Sequence, residues 1–410
     1  MNKNWKKNVI LFMAGQAVSL FGSSLVQYAI TWYITLSTKS GSMMTISIIC
    51  GFLPMLLVAP FAGVWADRFN RKILIIAADS LIALSTLIIA VLFTTGQDSL
   101  WPLFVVSAIR ALGQGIQSPA VMAVTPQLVP EEHLTRFNAI NQSIHSILQV
   151  FAPLLSGALL SVATIQVIFY IDVITAALAV FIMLLFIKIP DHPNALEKKP
   201  IQYFKDMKEG IRYIRGHAFV KKLLVLLTYC YILVTPVAFL SPLQVAISFG
   251  DEVWRLTAIE ITFSIGMIIG GLVMAGWGGF KNRAYTIALA DILMGISTAA
   301  LGIIPIFWIY LAIMAFIGMA MPFWNTPAIV MLQEKVEGEY MGRVFSIISM
   351  IQSVVMPLGM VIFGPMADFI RLEWILVATG LLLCLASLYL VKSKVMVEAG
   401  RPLPKAEEQS

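Results

Sequence analysis

The sequence predicts an all-α integral membrane protein of twelve transmembrane helices arranged as two similar six-helix bundles. Hydrophobic side chains make up 59% of the 410 residues and charged side chains only 12%, about half of the charged fraction usual in soluble proteins. The chain also repeats itself, because Asn70, Arg71 and Asp79 recur 212 positions later as Asn282, Arg283 and Asp291. Such a duplication inside a membrane protein is typical of secondary transporters.

Twelve apolar stretches are each long enough to cross roughly 30 Å of hydrocarbon. In the first half they cover residues 9–36, 43–65, 73–95, 101–125, 138–163 and 167–189, and in the second half 220–247, 255–279, 284–305, 307–331, 342–368 and 373–392. The predicted organisation is therefore an N-terminal bundle at 1–189, a linker at 190–219, a C-terminal bundle at 220–394 and a disordered cytoplasmic tail at 395–410.

Basic residues predict the orientation, because loops rich in Lys and Arg stay in the cytoplasm. Of the 28 basic residues, 24 fall at the termini and in the loops on one side of the predicted spans. Both termini are therefore expected in the cytoplasm, and the first span is expected to remain uncleaved. The net charge of +6 follows from this asymmetry and does not indicate a nucleic-acid partner.

The linker 190–219 contains three prolines and many basic residues, which ends the hydrophobic pattern. Within it, Ile201, Phe204, Ile211 and Ile214 fall roughly on one helical face. This pattern predicts a helix lying on the cytoplasmic surface of the bilayer.

Three cysteines lie in apolar segments without ligand spacing, so neither a metal site nor a disulfide framework is expected. A nucleophile with a base and a glycine-rich phosphate loop are also missing from the sequence pattern. We therefore expect neither an enzyme nor a cofactor.

The short loop after the second predicted span carries a ten-residue motif. It reads Gly63-Val-Trp-Ala-Asp67-Arg68-Phe-Asn70-Arg71-Lys72 and resembles the loop signature of the major facilitator superfamily, which has Gly at the position of Asn70. Asn is the next most tolerant residue for a left-handed backbone, so this departure weakens the resemblance little. The resemblance implies that Gly63, Asp67, Arg68 and Arg71 act in gating. In the second copy Ala275 and Gly279 replace Gly63 and Asp67, so the electrostatic contacts are expected mainly in the first half.

Two further motifs resemble those of drug:proton antiporters within the superfamily. In the fourth span Arg110 precedes Gly113 and Gly115, as in the antiporter signature, although Gln114 is displaced. In the fifth span Ala152-Pro153-Leu-Leu-Ser156-Gly157 is similar to their Gly-Pro-x-x-Gly-Gly stretch. Small residues and a proline permit close packing and a bend, so Pro153 and Gly157 are further gating candidates.

Over nearly its whole length the chain resembles the macrolide-efflux proteins and their relatives among the drug:proton antiporters. Segments that carry this resemblance are Ala14-Gly15-Gln16-Ala17-Val18-Ser19-Leu20, Gly51-Phe-Leu-Pro54, Ala123-Val-Thr-Pro126-Gln-Leu-Val-Pro130-Glu131-Glu132, Ile171-Asp172-Val173, Met207-Lys-Glu-Gly210, Gln333-Glu334-Lys335 and Gly342-Arg343-Val344-Phe345-Ser346. The resemblance implies the major facilitator fold and proton-driven export of hydrophobic, often cationic, compounds. It also implies a monomer in the bacterial cytoplasmic membrane.

Charged side chains inside the membrane cost roughly 2.5 to 3.5 kcal/mol on insertion scales, so those that are retained need a partner or a function. Arg110, Asp172 and Glu260 are the candidates for proton coupling. Arg110 stays charged and can act on a facing carboxylate, on an anion or as a brace between helices. Asp172 and Glu260 are candidate proton carriers, with an interfacial cap or ion pair as the alternative.

Asp79 and Asp291 occur in both copies, which favours a role in the shared gating geometry, through pairing with the basic loops. His145, with Asn141, Gln142 and Gln149, forms a polar stripe on the fifth span and is interpreted mainly as a packing or hydrogen-bonding residue.

Aromatic and amide side chains on spans one, seven and ten are the substrate-binding candidates, because those spans line the cavity in the superfamily. Rings suit bulky apolar or cationic ligands. The candidates are Phe21, Gln27, Tyr28, Trp32, Tyr229, Tyr231, Phe239, Phe323, Trp324 and Asn325.

The main prediction is a proton-coupled efflux antiporter for amphipathic compounds. The principal alternative is an exporter of a metabolite made by the cell, such as a siderophore, which is expected to have a more cationic cavity. A membrane-embedded enzyme lacks a matching motif, and a channel has no use for a duplicated, loop-gated architecture.

Overall fold

The computed structural model describes residues 5–187 and 203–401, and in these ranges the regular structure is entirely helical. The first half contains α1 (Trp5–Thr38), α2 (Gly41–Arg68), α3 (Arg71–Thr94), α4 (Leu100–Leu128), α5 (Leu134–Val162) and α6 (Ile165–Phe186). A single 3₁₀ turn at Glu131–His133 precedes α5.

The second half begins with α7 (Tyr203–Gly216) in the predicted linker. It continues with α8 (Ala218–Phe239), α9 (Ser241–Ser248), α10 (Val253–Trp277), α11 (Arg283–Leu301), α12 (Phe307–Lys335), α13 (Gly338–Phe369), α14 (Leu372–Lys392) and α15 (Lys394–Ala399).

The predicted fold class is confirmed. Eleven helical segments in the described residues are long and apolar enough to cross a membrane. The fourth predicted span, α4, is a helix of 29 residues but is not among the eleven. It carries Ser107, Arg110, Gln114 and Gln117, whose polarity offsets its apolar residues. With α4 the count reaches the twelve expected spans.

The seventh predicted span differs from the expectation, because it consists of two consecutive helices. α8 ends at Phe239 and α9 starts at Ser241, with Pro242 in its first turn. Proline has no backbone N–H to donate and is favoured where a helix begins. The break between α8 and α9 therefore lies directly before Pro242, a residue suited to the first turn of a new helix.

The predicted disorder from residue 395 is wrong for the first part of the tail, where the structure has α15. Met396 is fully buried, and the amide of Asn282 donates to the carbonyl of Val397 at 2.8 Å. The backbone N–H of Arg283 also donates to the carbonyl of Gly400 at 2.9 Å. These contacts tie the segment to the start of α11. Residues 402–410 lie outside the described residues, as do Ile201 and the other residues of 188–202.

The chain divides into two compact units. The first contains Met1–Lys39, Ile46–Lys199 and Glu252–Thr257, and the second contains Ser40–Thr45, Pro200–Asp251 and Ala258–Ser410. In the first unit α3 packs against α4 and α6, and in the second unit α11 packs against α12 and α14. The third helix of each half thus has the same kind of neighbours.

Glycine allows the closest helix approach in the second unit. A Cβ placed on Gly295 of α11 would lie 2.6 Å from the carbonyl oxygen of Gly380 on α14, and a Cβ on Gly380 would lie 2.5 Å from the carbonyl oxygen of Gly295. Both distances are far below van der Waals contact. The two backbones therefore meet directly, as small residues permit in membrane helices.

Candidate functional site

Arg110 on α4 and Asp172 on α6 form a buried ion pair in the first unit. Asp172 is completely buried and Arg110 is 4% exposed. Thr86 on α3 donates its hydroxyl to Asp172 Oδ2 at 3.0 Å, and Ser23 on α1 donates to Asp172 Oδ1 at 3.4 Å. Arg110 Nη2 in turn donates to the carbonyl of Ser23 at 3.3 Å. The pair therefore joins four helices of one half.

This arrangement satisfies the charges it buries. A buried carboxylate is tolerated when a cation and hydrogen-bond donors face it, and removing one partner leaves an uncompensated charge. Asp172 has both kinds of partner, so its carboxylate is fixed in place.

Asp79 on α3 lies in the same unit and is 3% exposed. Its Oδ1 accepts hydrogen bonds from Ser19 Oγ on α1 at 3.1 Å and from Gln117 Nε2 on α4 at 2.6 Å. The expected pairing of Asp79 with the basic loop is wrong, because its hydrogen-bond partners are these two neutral side chains. The reason is the position of Asp79 on α3, about two helical turns away from the loop.

Asp291 on α11 is the counterpart of Asp79 and is fully buried. Its Oδ1 accepts a hydrogen bond from Trp324 Nε1 on α12 at 3.0 Å and is 3.6 Å from Cys230 Sγ on α8. Its Oδ2 is buried without a hydrogen-bond partner in the described residues. The expected pairing with a basic loop is wrong here too.

The internal duplication explains why the two aspartates have similar surroundings. Gln117 and Trp324 are 207 positions apart, the same offset that separates the first residues of α4 and α12. Ser19 and Cys230 are 211 positions apart on the first spans of the two halves. Each aspartate is therefore held from the first and fourth spans of its own half.

The ion pair has no counterpart in the second unit. The same offset of 207 places Ile317 at the position of Arg110 and Thr379 at the position of Asp172, and both residues are buried. Thr298, the counterpart of Thr86, has a buried hydroxyl without a partner in the described residues. The two halves thus share a scaffold and differ in where they bury charge.

A cavity of about 290 Å³ opens in the first unit beside Asp79. Its lining mixes methionines and aliphatic side chains with amides, hydroxyls and one imidazole: Met13, Gln16, Ala17, Ser19, Leu20, Ser23, Met55, Gln114, Gln117, Ser118, Val121, Met122, Asn141, Ile144 and His145. Ser19 and Gln117 both line the cavity and donate to Asp79. His145 and Asn141 of the predicted polar stripe also face it.

None of the ten predicted substrate-binding residues lines this cavity. On α1, Trp32 is buried and packs against Tyr28 with ring centroids 5.5 Å apart. Phe21 is half-buried and Gln27 is exposed. On α1 the cavity is lined in part by the small polar face of Gln16 and Ser19, a signal that the choice of aromatic residues did not include.

The substrate-binding candidates of the second half have different neighbours. Tyr231 accepts a hydrogen bond from Gln352 at 2.6 Å and lies 6.3 Å from the ring of Trp324. Tyr229 points elsewhere, because its hydroxyl donates to the backbone of Leu382 at 3.3 Å. The remaining three are Phe323, which packs against Trp277 with centroids 5.8 Å apart, and the half-buried Phe239 and Asn325.

Glu260 on α10 stands apart from the other coupling candidates. Its side chain is half-buried and makes no hydrogen bond or ion pair with the described residues. An intramembrane carboxylate without a partner is costly and marks a functional candidate.

In the loop after α2, Asn70 has φ −63° and ψ 112° and caps α3, accepting from the backbone N–H groups of Lys72 and Ile73. This extended backbone is the conformation of an N-cap residue, so Asn70 does not use the left-handed conformation that Asn tolerates. Arg71 donates to the carbonyls of Ala66 and Ala123, each at 2.8 Å. Gly63 is half-buried and Arg68 exposed, and the side chain of Asp67 lies outside the described residues.

The second copy of this loop also makes an electrostatic contact. Arg283 forms a two-point ion pair with Glu334 on α12, one N–O distance being 2.7 Å. The offset of 207 places Gln127 where the second half has Glu334, so a neutral amide occupies that position in the first half.

On α5, Ser156 donates to the carbonyl of Leu25 at 3.1 Å, and Pro153 is buried. A Cβ on Gly157 would overlap Oγ1 of Thr257, a residue of the same unit. Only glycine fits at this contact.

Long apolar helices, charges buried between them and a polar-lined cavity define a multi-pass membrane transporter. The family model described as Major Facilitator Superfamily matches residues 12–360. The chain belongs to this superfamily.

Macrolide efflux protein A of Streptococcus pyogenes is 33% identical over 386 residues, covering 93% of this chain and 95% of that protein. Macrolide efflux protein A of Enterococcus faecalis is 33% identical over 323 residues, covering 78% of this chain and all of that protein. The crystal structure of a bacterial homologue of the human lysosomal transporter Spinster has a TM-score of 0.70 at 14% identity, covering 99% of this chain and 100% of that one. This last similarity shows the fold.

Proposed function

We propose that the protein exports hydrophobic or amphipathic compounds, macrolide-type antibiotics among them, in exchange for protons. It works as a monomer in the bacterial cytoplasmic membrane, with both termini in the cytoplasm. The observation that carries the proposal is the 33% identity to macrolide efflux protein A over 93% of the chain. The asymmetry of basic residues supports the orientation.

The chemistry of the cavity supports an amphipathic substrate. Met13, Met55 and Met122 offer flexible, polarisable side chains that adapt to different apolar shapes. The amides of Gln16 and Gln114 offer both hydrogen-bond donors and acceptors. Cavities of this mixed kind are typical of small-molecule sites, and about 290 Å³ lies at the lower end of their usual size.

The coupling residues have unequal roles in this proposal. Glu260 is the better of the two sequence-predicted proton carriers, because it has no partner to displace. Asp172 must first separate from Arg110 and Thr86. Gating is assigned to Gly63, Asp67, Arg68 and Arg71 of the loop after α2, to Asp79 and Asp291, and to Pro153 and Gly157.

Drug accumulation tests the function directly. Cells that express the protein are expected to accumulate less radiolabelled erythromycin than cells with an empty vector, and a protonophore is expected to abolish the difference. Equal accumulation in both cell lines would overturn the efflux proposal. A difference that survives the protonophore would overturn proton coupling alone.

Everted vesicles separate the coupling candidates. We expect Glu260→Gln to lose proton-driven erythromycin uptake. Glu252→Gln is the matched control, because Glu252 is exposed at the start of the same segment and pairs with Arg255 at 2.7 Å. Uptake at the wild-type rate in Glu260→Gln would remove this residue from the mechanism.

A further inference from the structure

The second unit contains a cavity of about 360 Å³, a volume within the usual range of small-molecule sites. Three segments form its walls, namely the end of α9, the loop between α11 and α12, and the start of α14. Phe249 belongs to the first segment, Ile303 to the second, and Arg371, Glu373 and Trp374 to the third. None of the predicted coupling, gating or substrate-binding residues is among the described lining residues.

The inner wall of this cavity is held together by hydrogen bonds and close packing. Gln244 on α9 is 3% exposed. Its Nε2 donates to the carbonyl of Leu301 at 2.8 Å, and its Oε1 accepts from the hydroxyl of Tyr310 on α12 at 2.9 Å. A Cβ on Gly302 would lie 2.5 Å from the carbonyl oxygen of Glu373, so the loop lies directly against the start of α14. The three segments therefore form a preorganised site.

The mouth of the cavity carries one positive and one negative side chain. Arg371 Nη2 lies 3.4 Å from Glu373 Oε1, and the two side chains are 75% and 33% exposed. An exposed ion pair at this distance contributes little to stability, so both groups are available to a ligand. The guanidinium group matches the oxygens of a phosphate, and the carboxylate accepts hydrogen bonds from an ammonium group.

Two exposed tryptophans indicate the level of the bilayer at which the cavity opens. Trp374 at the mouth is 65% exposed, and Trp308 at the start of α12 is 70% exposed. Tryptophan is enriched at the membrane–water interface. Ile303 lines the cavity and is itself 70% exposed, so an apolar surface continues from the cavity to the outside of the unit. A charged mouth beside such a surface is complementary to a lipid, which joins a charged headgroup to apolar chains.

We propose that this cavity binds a membrane phospholipid whose headgroup carries a primary ammonium, as in phosphatidylethanolamine. Its phosphate accepts hydrogen bonds from Arg371, its ammonium donates to Glu373, and its acyl chains cover Trp374 and Ile303. The proposed orientation of the chain places the site in the outer leaflet. The inference goes beyond the proposed function, because it concerns a resident lipid and not an exported compound.

The pair of opposite charges predicts which headgroup is preferred. Phosphatidylglycerol offers the same phosphate but has no cation for Glu373. Phosphatidylcholine has a cation, but its quaternary ammonium has no N–H to donate. The lipid with a primary ammonium is therefore expected to bind more tightly than either of the other two.

Native mass spectrometry of the delipidated full-length protein in detergent tests this order. The three lipids are titrated with identical acyl chains, and phosphatidylethanolamine is expected to bind most tightly. Equal affinity for all three would overturn the proposal. A phosphatidylethanolamine with a photoactivatable diazirine in its acyl chain locates the site, and labelled peptides are expected from the loop between α11 and α12 and from the start of α14. Labelling confined to other segments would also overturn it.

Substitutions at the mouth separate the two charges. Arg371→Ala is expected to lower the affinity for phosphatidylethanolamine about 10-fold, because a charge-assisted hydrogen bond is lost. Glu373→Gln is expected to abolish the preference for phosphatidylethanolamine over phosphatidylglycerol. Arg255→Ala is the matched control, because Arg255 also belongs to a surface ion pair, with Glu252 at 2.7 Å, and does not line the cavity. An equal loss in this control, or an unchanged preference in Glu373→Gln, would contradict the proposal.

Val377 lines the cavity and allows a test that leaves both charges in place. Val377→Phe reduces the space and is expected to weaken lipid binding, whereas Val377→Ala enlarges it and is expected to retain binding. Equal lipid affinity in both variants would show that the lipid lies outside the cavity.

Two competitors test the identity of the occupant. Glycerophosphoethanolamine has the same headgroup without acyl chains, and binding as tight as that of the lipid would assign the site to a soluble phosphodiester. Displacement of the lipid by erythromycin would assign it to the drug. Either result would overturn the proposal. None of these measurements depends on transport, so failure of the lipid site leaves the efflux function unaffected.

Discussion

Arg110 and Asp172, 62 positions apart in sequence, bind one another in the interior of the first half, whereas the equivalent positions of the second half carry Ile317 and Thr379. The same helical scaffold therefore accommodates an ion pair in the first half and two neutral residues at the equivalent positions in the second half. Exchanging one set for the other measures how much the ion pair contributes to the stability of the protein.

Removing one member of the pair is expected to destabilise the protein more than removing both. Arg110→Ile or Asp172→Thr alone leaves a buried charge without its partner, a change that costs about 3–5 kcal/mol in other proteins. The double variant copies the second half and is expected to recover most of that loss. Thermal unfolding in detergent measures the three variants, and a double variant as unstable as the worse single one would contradict the prediction.

The direct backbone contact between α11 and α14 predicts a large effect of one methyl group. Gly380→Ala places a Cβ 2.5 Å from the carbonyl oxygen of Gly295, and overpacking of this kind costs about 1–3 kcal/mol. Gly271→Ala is the matched control, because a Cβ there meets nothing within 4 Å. The melting temperature is expected to fall in the first variant and to stay level or rise in the second.

The cap at Asn70 predicts a graded series. Asn70→Ala removes the acceptor for the N–H groups of Lys72 and Ile73 and is expected to cost about 1 kcal/mol, whereas Asn70→Gly costs a few tenths. Unfolding free energies from denaturant titration in mixed micelles distinguish the two. If a left-handed backbone were required at this position instead, Asn70→Gly would stabilise the protein.

The linker helix α7 is held against α13 by an aromatic stack and an ion pair. Tyr213 and Tyr340 stack with centroids 4.3 Å apart, and Glu209 lies 3.0 Å from Arg343. Tyr213→Ala removes the stack, which contributes about 0.5–1.5 kcal/mol. Hydrogen exchange of the α7 amides is therefore expected to accelerate roughly 2- to 10-fold.

The exposed Arg212 on the same helix supplies the control for this experiment. Arg212→Ala is expected to leave the exchange of α7 amides unchanged. Equal acceleration in both variants would show that the helix responds to any substitution and not to loss of the stack.

The membrane spans were predictable because an apolar stretch of about 20 residues can be recognised locally in the sequence. The duplication was predictable because identical residues recur at a constant offset in the two halves. The partners of Arg110 and Asp79 were not, since periodicity identifies a helical face but not the neighbour that it meets. The cap at Asn70 had a usable signal, namely an Asn directly before an apolar helix. Pro242 likewise signalled the break before α9.

The candidate site was likewise only partly predictable from the sequence. Sequence reasoning selected Asp172 and Arg110 because buried charge is rare, and its substrate-binding candidates were mainly aromatic rings. The cavity beside Asp79 was not predicted, and it is lined by amides, hydroxyls, methionines and aliphatic side chains on α1, α2, α4 and α5. Amides, hydroxyls and methionines occur throughout membrane helices, so the sequence does not show which of them line a cavity. Those that do are recognised only because the fold brings them together.

The polar character of α4 also affects how the chain enters the bilayer during synthesis. Arg110 costs roughly 2.5 to 3.5 kcal/mol at the centre of an inserting helix, and its partner Asp172 leaves the ribosome 62 residues later. For that interval α4 has no counter-ion on α6. We therefore expect α4 on its own to insert less efficiently than α12 on its own, because α12 has Ile317 at the matching position.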